Sequence, residues 1–236
     1  RIIMIKIGLI TIGQSPRQDI IKDITPILGD DFEIVEVGAL DNFVPGDFAR
    51  FLPEPCDYVL ISRLRDGTRI CIAEKYILPI IQDLIDNLEA QGVALIVLLC
   101  TGKFPSFTAG VPLLYPSDIL EALVPVICGL QKIAIVIPDR SQISQAQDHW
   151  SKFVNNPKLF AASPYGNTDD LDIAINEIKD KGEEVKFVIM DCIGYSIEMK
   201  KKVIEKTGRF VLLPRTLIAN ILKEFDGLNY YPVSGQ

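Results

Sequence analysis

With 236 residues, the chain is long enough for one large domain or two small ones that each bury a hydrophobic core. Hydrophobic residues make up 48% and charged residues 23% of the chain, which excludes the polar, highly charged composition of disordered proteins. The formal net charge of -7 means that nucleic acid is not expected as a partner.

The chain carries no pattern typical of a membrane or secreted protein. Its longest strongly apolar run, residues 93–100, is too short to span a bilayer, and the N-terminal residues have a strand-like rather than a signal-peptide pattern. Five cysteines without a close-spaced pair favour reduced thiols over a disulfide framework. We therefore expect a cytoplasmic protein.

Apolar stretches rich in Ile and Val alternate with segments of helical period, which predicts parallel strands covered by crossover helices. The predicted strands are residues 3–11, 32–38, 57–62, 94–100, 132–137, 159–163, 185–191 and 210–213. The predicted helices are residues 16–28, 74–91, 117–127, 141–155, 169–181, 196–207 and 214–225, with capping residues at Ser117 and Thr168. Residues 101–116 are predicted to form a long functional loop.

This order of elements predicts an α/β fold of two pseudo-symmetric, Rossmann-like lobes with mainly parallel sheets. The first lobe is expected to cover residues 1–115 plus 208–236 and to carry Cys100, and the second to cover residues 116–207 and to carry Cys192. Ligands of such sheets bind beyond the carboxyl ends of the strands, so residues at those ends are the candidates for a site.

The turn after the first predicted strand, residues 11–17, offers anion-binding groups. Pro16 suits an early helical position, Ser15 suits the cap, and Arg17 adds a guanidinium. Residues 8–15 also resemble a nucleotide P-loop, but Gln14 stands where that motif needs lysine, which excludes the ATP interpretation. The alternative for this segment is a well-capped helix with a surface arginine.

The predicted third strand ends in residues 62–67, which would place the Ser62 hydroxyl and the guanidiniums of Arg63 and Arg65 at the same edge. One of the guanidiniums could clamp a carboxylate. Alternatively, the neighbouring charges at residues 65 and 66 form only a surface ion pair.

Cys100 and Cys192 occupy matching positions, each at the end of a buried strand. Thr101 and Gly102 follow the first, and Gly194 and Tyr195 lie just after the second. Backbone amides at such a strand end can lower a thiol pKa, although a lone free cysteine is more often a small buried hydrophobe.

The remaining candidates are weaker. Cys56, Cys71 and Cys128 are assigned to structure, and His149 to helix surface and packing, which leaves no basis for a metal site or a Cys-His-Asp hydrolase. Arg215 follows the last predicted strand and could reach the cleft or remain in solvent.

Five segments resemble the AroM-like family, a branch of the aspartate/glutamate racemase superfamily: residues 11–17, 63–68, 98–102, 191–195 and 213–216. This resemblance implies two lobes with an active-site cleft between them, to which each lobe presents one cysteine, without a cofactor. One thiolate would remove the proton next to a carboxylate and the opposite thiol would protonate the other face, roles that fall on Cys100 and Cys192. Maleate isomerases and decarboxylases of the superfamily use related cysteine chemistry.

The sequence departs from the racemase pattern where those enzymes recognise their substrate. Racemases have Asn-Thr after the first cysteine and commonly Thr after the second, whereas Thr101-Gly102 and Ile193 stand here. An organic acid without an amino group is therefore an alternative to an amino acid, and the arginines at positions 17, 63 and 215 favour more than one anionic group.

The sequence leaves three functions open. The first is a cofactor-independent isomerase, racemase or decarboxylase that acts on a small carboxylate, with a homodimer as one expected state. The second is a non-catalytic protein that binds or senses an organic acid. The third, a thiol-disulfide redox protein, is the weakest because neither cysteine belongs to a Cys-x-x-Cys pair.

Overall fold

The computed structural model describes residues 4–166, 169–180 and 184–226. The predicted cap at Thr168 and the ends of the predicted first lobe, residues 1–3 and 227–236, lie outside these ranges. The strands are β1 (Ile5–Thr11), β2 (Phe32–Gly38), β3 (Val59–Arg63), β4 (Arg69–Ala73), β5 (Leu95–Leu98), β6 (Leu113–Leu114), β7 (Lys132–Ile137), β8 (Lys158–Ala161), β9 (Val185–Met190) and β10 (Phe210–Leu212). The α-helices are α1 (Gln18–Leu28), α2 (Glu74–Ala90), α3 (Pro116–Cys128), α4 (Ile143–Trp150), α5 (Asp169–Asp180), α6 (Ile197–Thr207) and α7 (Pro214–Lys223).

Two parallel sheets carry the fold. The first has the strand order β2-β1-β5-β6 and the second the order β10-β9-β7-β8. Their central strands are buried on both faces, which is why they appear in the sequence as continuous apolar runs. These sheets, flanked by helices, confirm the predicted α/β class.

The prediction that residues 57–62 form a strand of the parallel sheet was wrong. β3 pairs in antiparallel register with β4, a strand that was not predicted, and the two form a separate hairpin. The turn between them is closed by Leu64 N–H donating to Thr68 O at 2.8 Å, and Gly67 has a φ of 95°. Asp66-Gly67 is a hairpin signal in the sequence that explains this reversal.

Helix starts also differ from the prediction. α1 begins at Gln18, so Pro16 lies outside the helix and Ser15 does not cap it, and α3 begins at Pro116, one residue before the predicted cap Ser117. Short β6 lies inside the predicted loop 101–116. Proline supplies a suitable first helical residue in α3 because its fixed φ matches the helix.

The C-terminal part of the chain contacts both halves of the fold. β10 pairs with β9 in the second sheet, whereas α7 packs against α1 beside the first sheet. The division into residues 1–115 plus 208–236 and residues 116–207 stays a prediction. Among the described helices, none has the length and apolarity needed to cross a membrane.

Candidate active site

Cys100 and Cys192 line the same cavity, two residues beyond the ends of β5 and β9. The cavity volume is about 40 Å³, which is room for about three water molecules on a scale where one water needs about 10–15 Å³. Its other lining residues are Tyr58, Leu60, Ile61, Thr101, Gly102, Ile137, Pro138, Gln142, Gln145, Ala146, His149, Trp150 and Asp191.

The two cysteines have matching local geometry. Cys100 N–H donates to Leu98 O at 2.7 Å, and Cys192 N–H donates to Met190 O at 2.8 Å. Each sulfur then accepts an amide N–H from the glycine two residues later, at 3.3 Å from Gly102 and 3.4 Å from Gly194. Each strand therefore ends in the same tight turn, which presents a thiol and an amide on one side.

Burial decides the protonation of these thiols. It raises the pKa of Cys100 to about 12 and that of Cys192 to about 11, although the glycine amides and Arg17 act in the opposite direction. The sequence favoured a thiol pKa lowered by amide dipoles, but loss of hydration outweighs two amides here. Both thiols are therefore neutral at neutral pH.

We expect iodoacetamide to label the exposed Cys56 at neutral pH and to leave Cys100 and Cys192 largely unmodified. Only the thiolate reacts, and a pKa of about 11 for Cys192 leaves about one thiol in ten thousand ionised near pH 7. Labelling of both buried cysteines should accelerate about tenfold per pH unit as the pH rises. Mass spectrometry of labelled peptides measures each cysteine, and rapid modification of either at neutral pH would contradict the buried, neutral state.

Ser15 and Arg17 lie near the site, but their polar groups are hydrogen-bonded to other side chains of the protein. Ser15 Oγ donates to Asp41 Oδ2 at 2.6 Å. The Arg17 guanidinium is buried and donates to both carboxylate oxygens of Asp19, at 2.8 and 2.7 Å, and to Tyr165 Oη at 3.1 Å. Although burial favours the neutral acid, Arg17 lowers the pKa of Asp19, so this pair is ionised. Neither Ser15 nor Arg17 lines the cavity.

Ser62 and Arg63 lie at the end of β3, where the turn after β1 packs on them. Gln14 N–H donates to Arg63 O at 3.2 Å, and a Cβ at Gly13 would lie 2.2 Å from the same oxygen, so only glycine permits this approach. The Arg63 guanidinium lies 3.7 Å from Asp19. Both residues contact the 11–17 turn rather than the cavity.

The loops after the two cysteines differ in their position relative to the cavity. Thr101 and Gly102 line the cavity, whereas Gly194 and Tyr195 do not. A Cβ at Gly194 would lie 2.2 Å from Tyr165 Oη, so glycine allows the tyrosine to pack here. Tyr195 is fully buried and donates its hydroxyl proton to Ala162 O at 2.6 Å.

Arg215 connects the Cys192 loop to α1 and is not a cavity residue. Its guanidinium donates to Asp23 Oδ2 at 2.5 Å, to Asp19 O at 2.7 Å, and to Ile193 O and Gly194 O at 2.9 Å each. These contacts occupy its donors inside the protein. We infer that Arg215 positions the loop after Cys192 rather than binding a ligand.

Sequence reasoning missed Asp191, which lines the cavity beside Cys192. Trp150 Nε1 donates to its Oδ2 at 2.7 Å. Burial raises the pKa of Asp191 to about 6, against the opposing effects of Trp150 and Thr101. The sequence offered a signal in the acidic residue directly before a strand-end cysteine, but its environment depends on α4, whose Trp150 contacts it.

His149 also lines the cavity, so its assignment to helix surface and packing was incomplete. Its Nε2 lies 3.5 Å from Glu121 Oε1, and burial lowers its pKa, which favours neutral imidazole. In the part of the chain that the structure describes, no group of three or more His, Cys, Asp or Glu side chains is placed to hold a metal ion.

Comparisons with known proteins agree on the fold. A family model described as "AroM protein" matches residues 7–225, and a search of curated proteins gives no match. The aspartate racemase of Picrophilus torridus is similar at 13% identity and a TM-score of 0.59, over 93% of each chain. The glutamate racemase of Aquifex pyrophilus is similar at 17% identity and a TM-score of 0.55, over 94% of this chain and 84% of that one.

A glycine-to-cysteine mutant of arylmalonate decarboxylase, in its sulfate-associated form, has the same fold. It is 13% identical, with a TM-score of 0.57, and the similarity covers 98% of each chain. At these identities the likeness shows a shared fold alone.

Proposed function

The chain belongs to the AroM protein family, and we propose that it is a cofactor-independent enzyme that moves a proton at the carbon next to a carboxylate. The observation that carries this proposal is the cavity whose walls contain both Cys100 and Cys192. The matching turns give each thiol an equivalent position at the end of a different sheet. Racemisation, isomerisation and decarboxylation all fit this arrangement.

In the proposed reaction, the active form carries one thiolate and one thiol. The thiolate takes the hydrogen of the α-carbon and becomes a thiol, and the bonding electrons pass into an enolate on the carboxylate. The opposite thiol then donates its proton to the other face of the carbon and becomes the thiolate. One proton leaves the substrate and one is added, so its composition is unchanged.

Burial of the cysteines supports this chemistry. The raised pKa values make the thiolate a rare form, but a thiolate in this cavity is a strong base, which removal of a weakly acidic carbon-bound hydrogen requires. Thr101 lines the same cavity, and its hydroxyl, which also interacts with Asp191, is the proposed donor to the developing enolate. Loss of carbon dioxide would produce the same enolate and would need only one thiol as proton donor.

The names of several proteins with this fold support the substrate class. Racemases of aspartate and glutamate and a decarboxylase of arylmalonate act on small carboxylic acids. The cavity volume of about 40 Å³ favours an acid with few non-hydrogen atoms. The proposed substrate is therefore a small carboxylate with an acidic α-carbon.

Proton exchange in heavy water tests this proposal on a panel of small acids. Incubation with single enantiomers of alanine, aspartate, glutamate, lactate and malate, and with methylmalonate, is expected to replace the α-hydrogen of at least one acid by deuterium. Loss of its proton NMR signal measures the rate, and optical rotation measures racemisation. A Cys56→Ser variant is the matched control, because Cys56 is exposed and lies away from the cavity. Acids that bind without exchange or conversion would overturn the proposal.

A second candidate function is a non-catalytic sensor of an organic acid. The neutral state of both thiols in the cavity favours this alternative, because a sensor does not need a thiolate. Ligand stabilisation in thermal-shift measurements, unchanged in Cys100→Ser and Cys192→Ser variants and without deuterium exchange, would support it.

A further inference from the structure

Asp191 has one carboxylate oxygen without a well-formed hydrogen bond at the cavity. Its Oδ2 accepts the Trp150 indole N–H, whereas its Oδ1 is buried and has no partner of standard hydrogen-bond geometry among the described residues, although the Thr101 side chain is close enough to lower the pKa of the carboxyl. A buried ionised oxygen without a donor is unfavourable, whereas a protonated one becomes a hydrogen-bond donor. Asp191 therefore lines the cavity with one oxygen that has no well-formed hydrogen bond inside the protein.

The cavity also lacks a permanent positive charge. Of the residues that line it, all of them in the described ranges, none is a lysine or arginine. The buried arginines nearest the cysteine loops, Arg17 and Arg215, are neutralised by Asp19 and Asp23. His149 adds little charge, because burial lowers its pKa. A carboxylate that enters this cavity must find its stabilisation from neutral donors.

Two carboxyl groups at hydrogen-bond distance share one proton when the site is buried and holds no positive charge. Burial raises the pKa of Asp191 to about 6 before any ligand is bound, and Glu121 adds to the shift. A second negative charge at hydrogen-bond distance raises such a pKa further, as in paired carboxylates of other active sites. Binding of an anion would thus complete the protonation of Asp191.

We propose that Asp191 binds the substrate as a carboxylic acid, and that its Oδ1 donates a hydrogen bond to the substrate carboxylate. This inference rests on the proposed function, since it assumes a carboxylate ligand. Each protein molecule that binds one ligand anion therefore also takes up one proton. Asp191 would then supply the recognition that the sequence assigned to arginines.

Other titratable groups surround Asp191, and their protonation has to be distinguished from that of Asp191. Burial raises the pKa of Tyr58 to about 12 and that of Tyr195 well above its usual value, and the two thiols titrate at similarly high pH. Glu121 on α3, which pairs with Lys103, and His149 on α4 are the other groups that a pH series near neutrality must control.

Fluorescence of Trp150, the one tryptophan of the chain, gives a direct readout because its indole contacts Asp191 in the cavity. We choose propanoate as the probe, because a simple carboxylic acid with a pKa of about 4–5 stays ionised from about pH 6 to about pH 8.5. For the wild type, the Kd of propanoate is expected to rise about tenfold per pH unit above about pH 6.

The Asp191→Asn variant keeps an acceptor for Trp150 and a neutral donor for the ligand, but cannot titrate. Its Kd is expected to be independent of pH over this range, and at the highest pH to be lower than that of the wild type by about tenfold or more. The Glu121→Gln and His149→Asn variants are expected to keep the wild-type slope. Calorimetry of the wild type in buffers of different ionisation enthalpy should show uptake of about one proton per propanoate at about pH 7.5.

The outcomes separate the two proposals. Binding of propanoate without a pH slope or proton uptake, or a slope that survives in Asp191→Asn, would overturn this inference and leave the proposed function intact. A slope that disappears in His149→Asn would also overturn it, because it would assign the proton to the imidazole. If neither propanoate nor any acid of the exchange panel bound, both proposals would fall together.

Discussion

Replacement of Cys192 by serine is expected to reduce α-proton exchange of one substrate enantiomer by about 10²- to 10⁴-fold. A hydroxyl is a far weaker acid than a thiol, so it cannot supply the base that the reaction needs. Cys100→Ser is expected to produce the same loss for the opposite enantiomer, because the two thiols approach the α-carbon from different sheets. The measurement is deuterium incorporation into each enantiomer, followed separately by NMR.

This opposite selectivity distinguishes paired-thiol chemistry from a general loss of structure. Serine is smaller and keeps an acceptor for the glycine amides, which lie 3.3 and 3.4 Å from the cysteine sulfurs, so both variants should fold. Cys56→Ser, at an exposed position, controls for unspecific effects of cysteine removal. Wild-type exchange of both enantiomers in either buried-cysteine variant would rule out a two-thiol mechanism, whereas loss in only one variant would favour a single proton donor, as in decarboxylation.

The Arg215→Met variant is expected to lose about 3–5 kcal/mol of unfolding free energy, as is typical when one partner of a buried ion pair is removed. Both side chains of the Arg215–Asp23 pair are buried, and the nitrogen and oxygen are 2.5 Å apart. Methionine would leave the Asp23 charge uncompensated and would remove donors from Ile193 O and Gly194 O. Denaturant unfolding followed by Trp150 fluorescence measures the change.

A second substitution tests the cause. Arg215→Met combined with Asp23→Leu is expected to recover part of the lost stability, because no buried charge then remains, although Ile197 N–H loses its acceptor on Asp23. The exposed pair Lys22–Glu198, 3.8 Å apart, is the matched control. Lys22→Met should change the unfolding free energy by less than about 0.5 kcal/mol. If Arg215→Met lost no more unfolding free energy than Lys22→Met, the buried pair would contribute no more to stability than a surface pair.

Local patterns predicted most of the fold because burial on both faces of a parallel sheet imposes long Ile and Val runs. β1, β7 and β9 match their predicted ranges closely for this reason. The hairpin of β3 and β4 was missed because a strand's apolar pattern does not reveal whether its partner runs parallel or antiparallel. Only the Asp66-Gly67 turn carried that information.

The placement of charge was harder to predict. Arg17 and Arg215 were expected to meet a substrate anion, but each is paired with an aspartate inside the protein. Asp19 lies two residues from Arg17, whereas Asp23 lies 192 positions from Arg215. Asp191 was overlooked because its acidity depends on its burial and on the Trp150 indole.

The sequence by itself determined the alternation of strands and helices, the α/β class and the equivalent positions of two cysteines at strand ends. These features follow from the periodicity of hydrophobic residues and from the positions of glycine and proline, which act over a few residues. Tertiary structure alone decided that both thiols are neutral, that the arginines are already paired and that a carboxyl group faces the cavity. Such properties depend on hydration and on charges brought together from distant parts of the chain, and no local pattern records them.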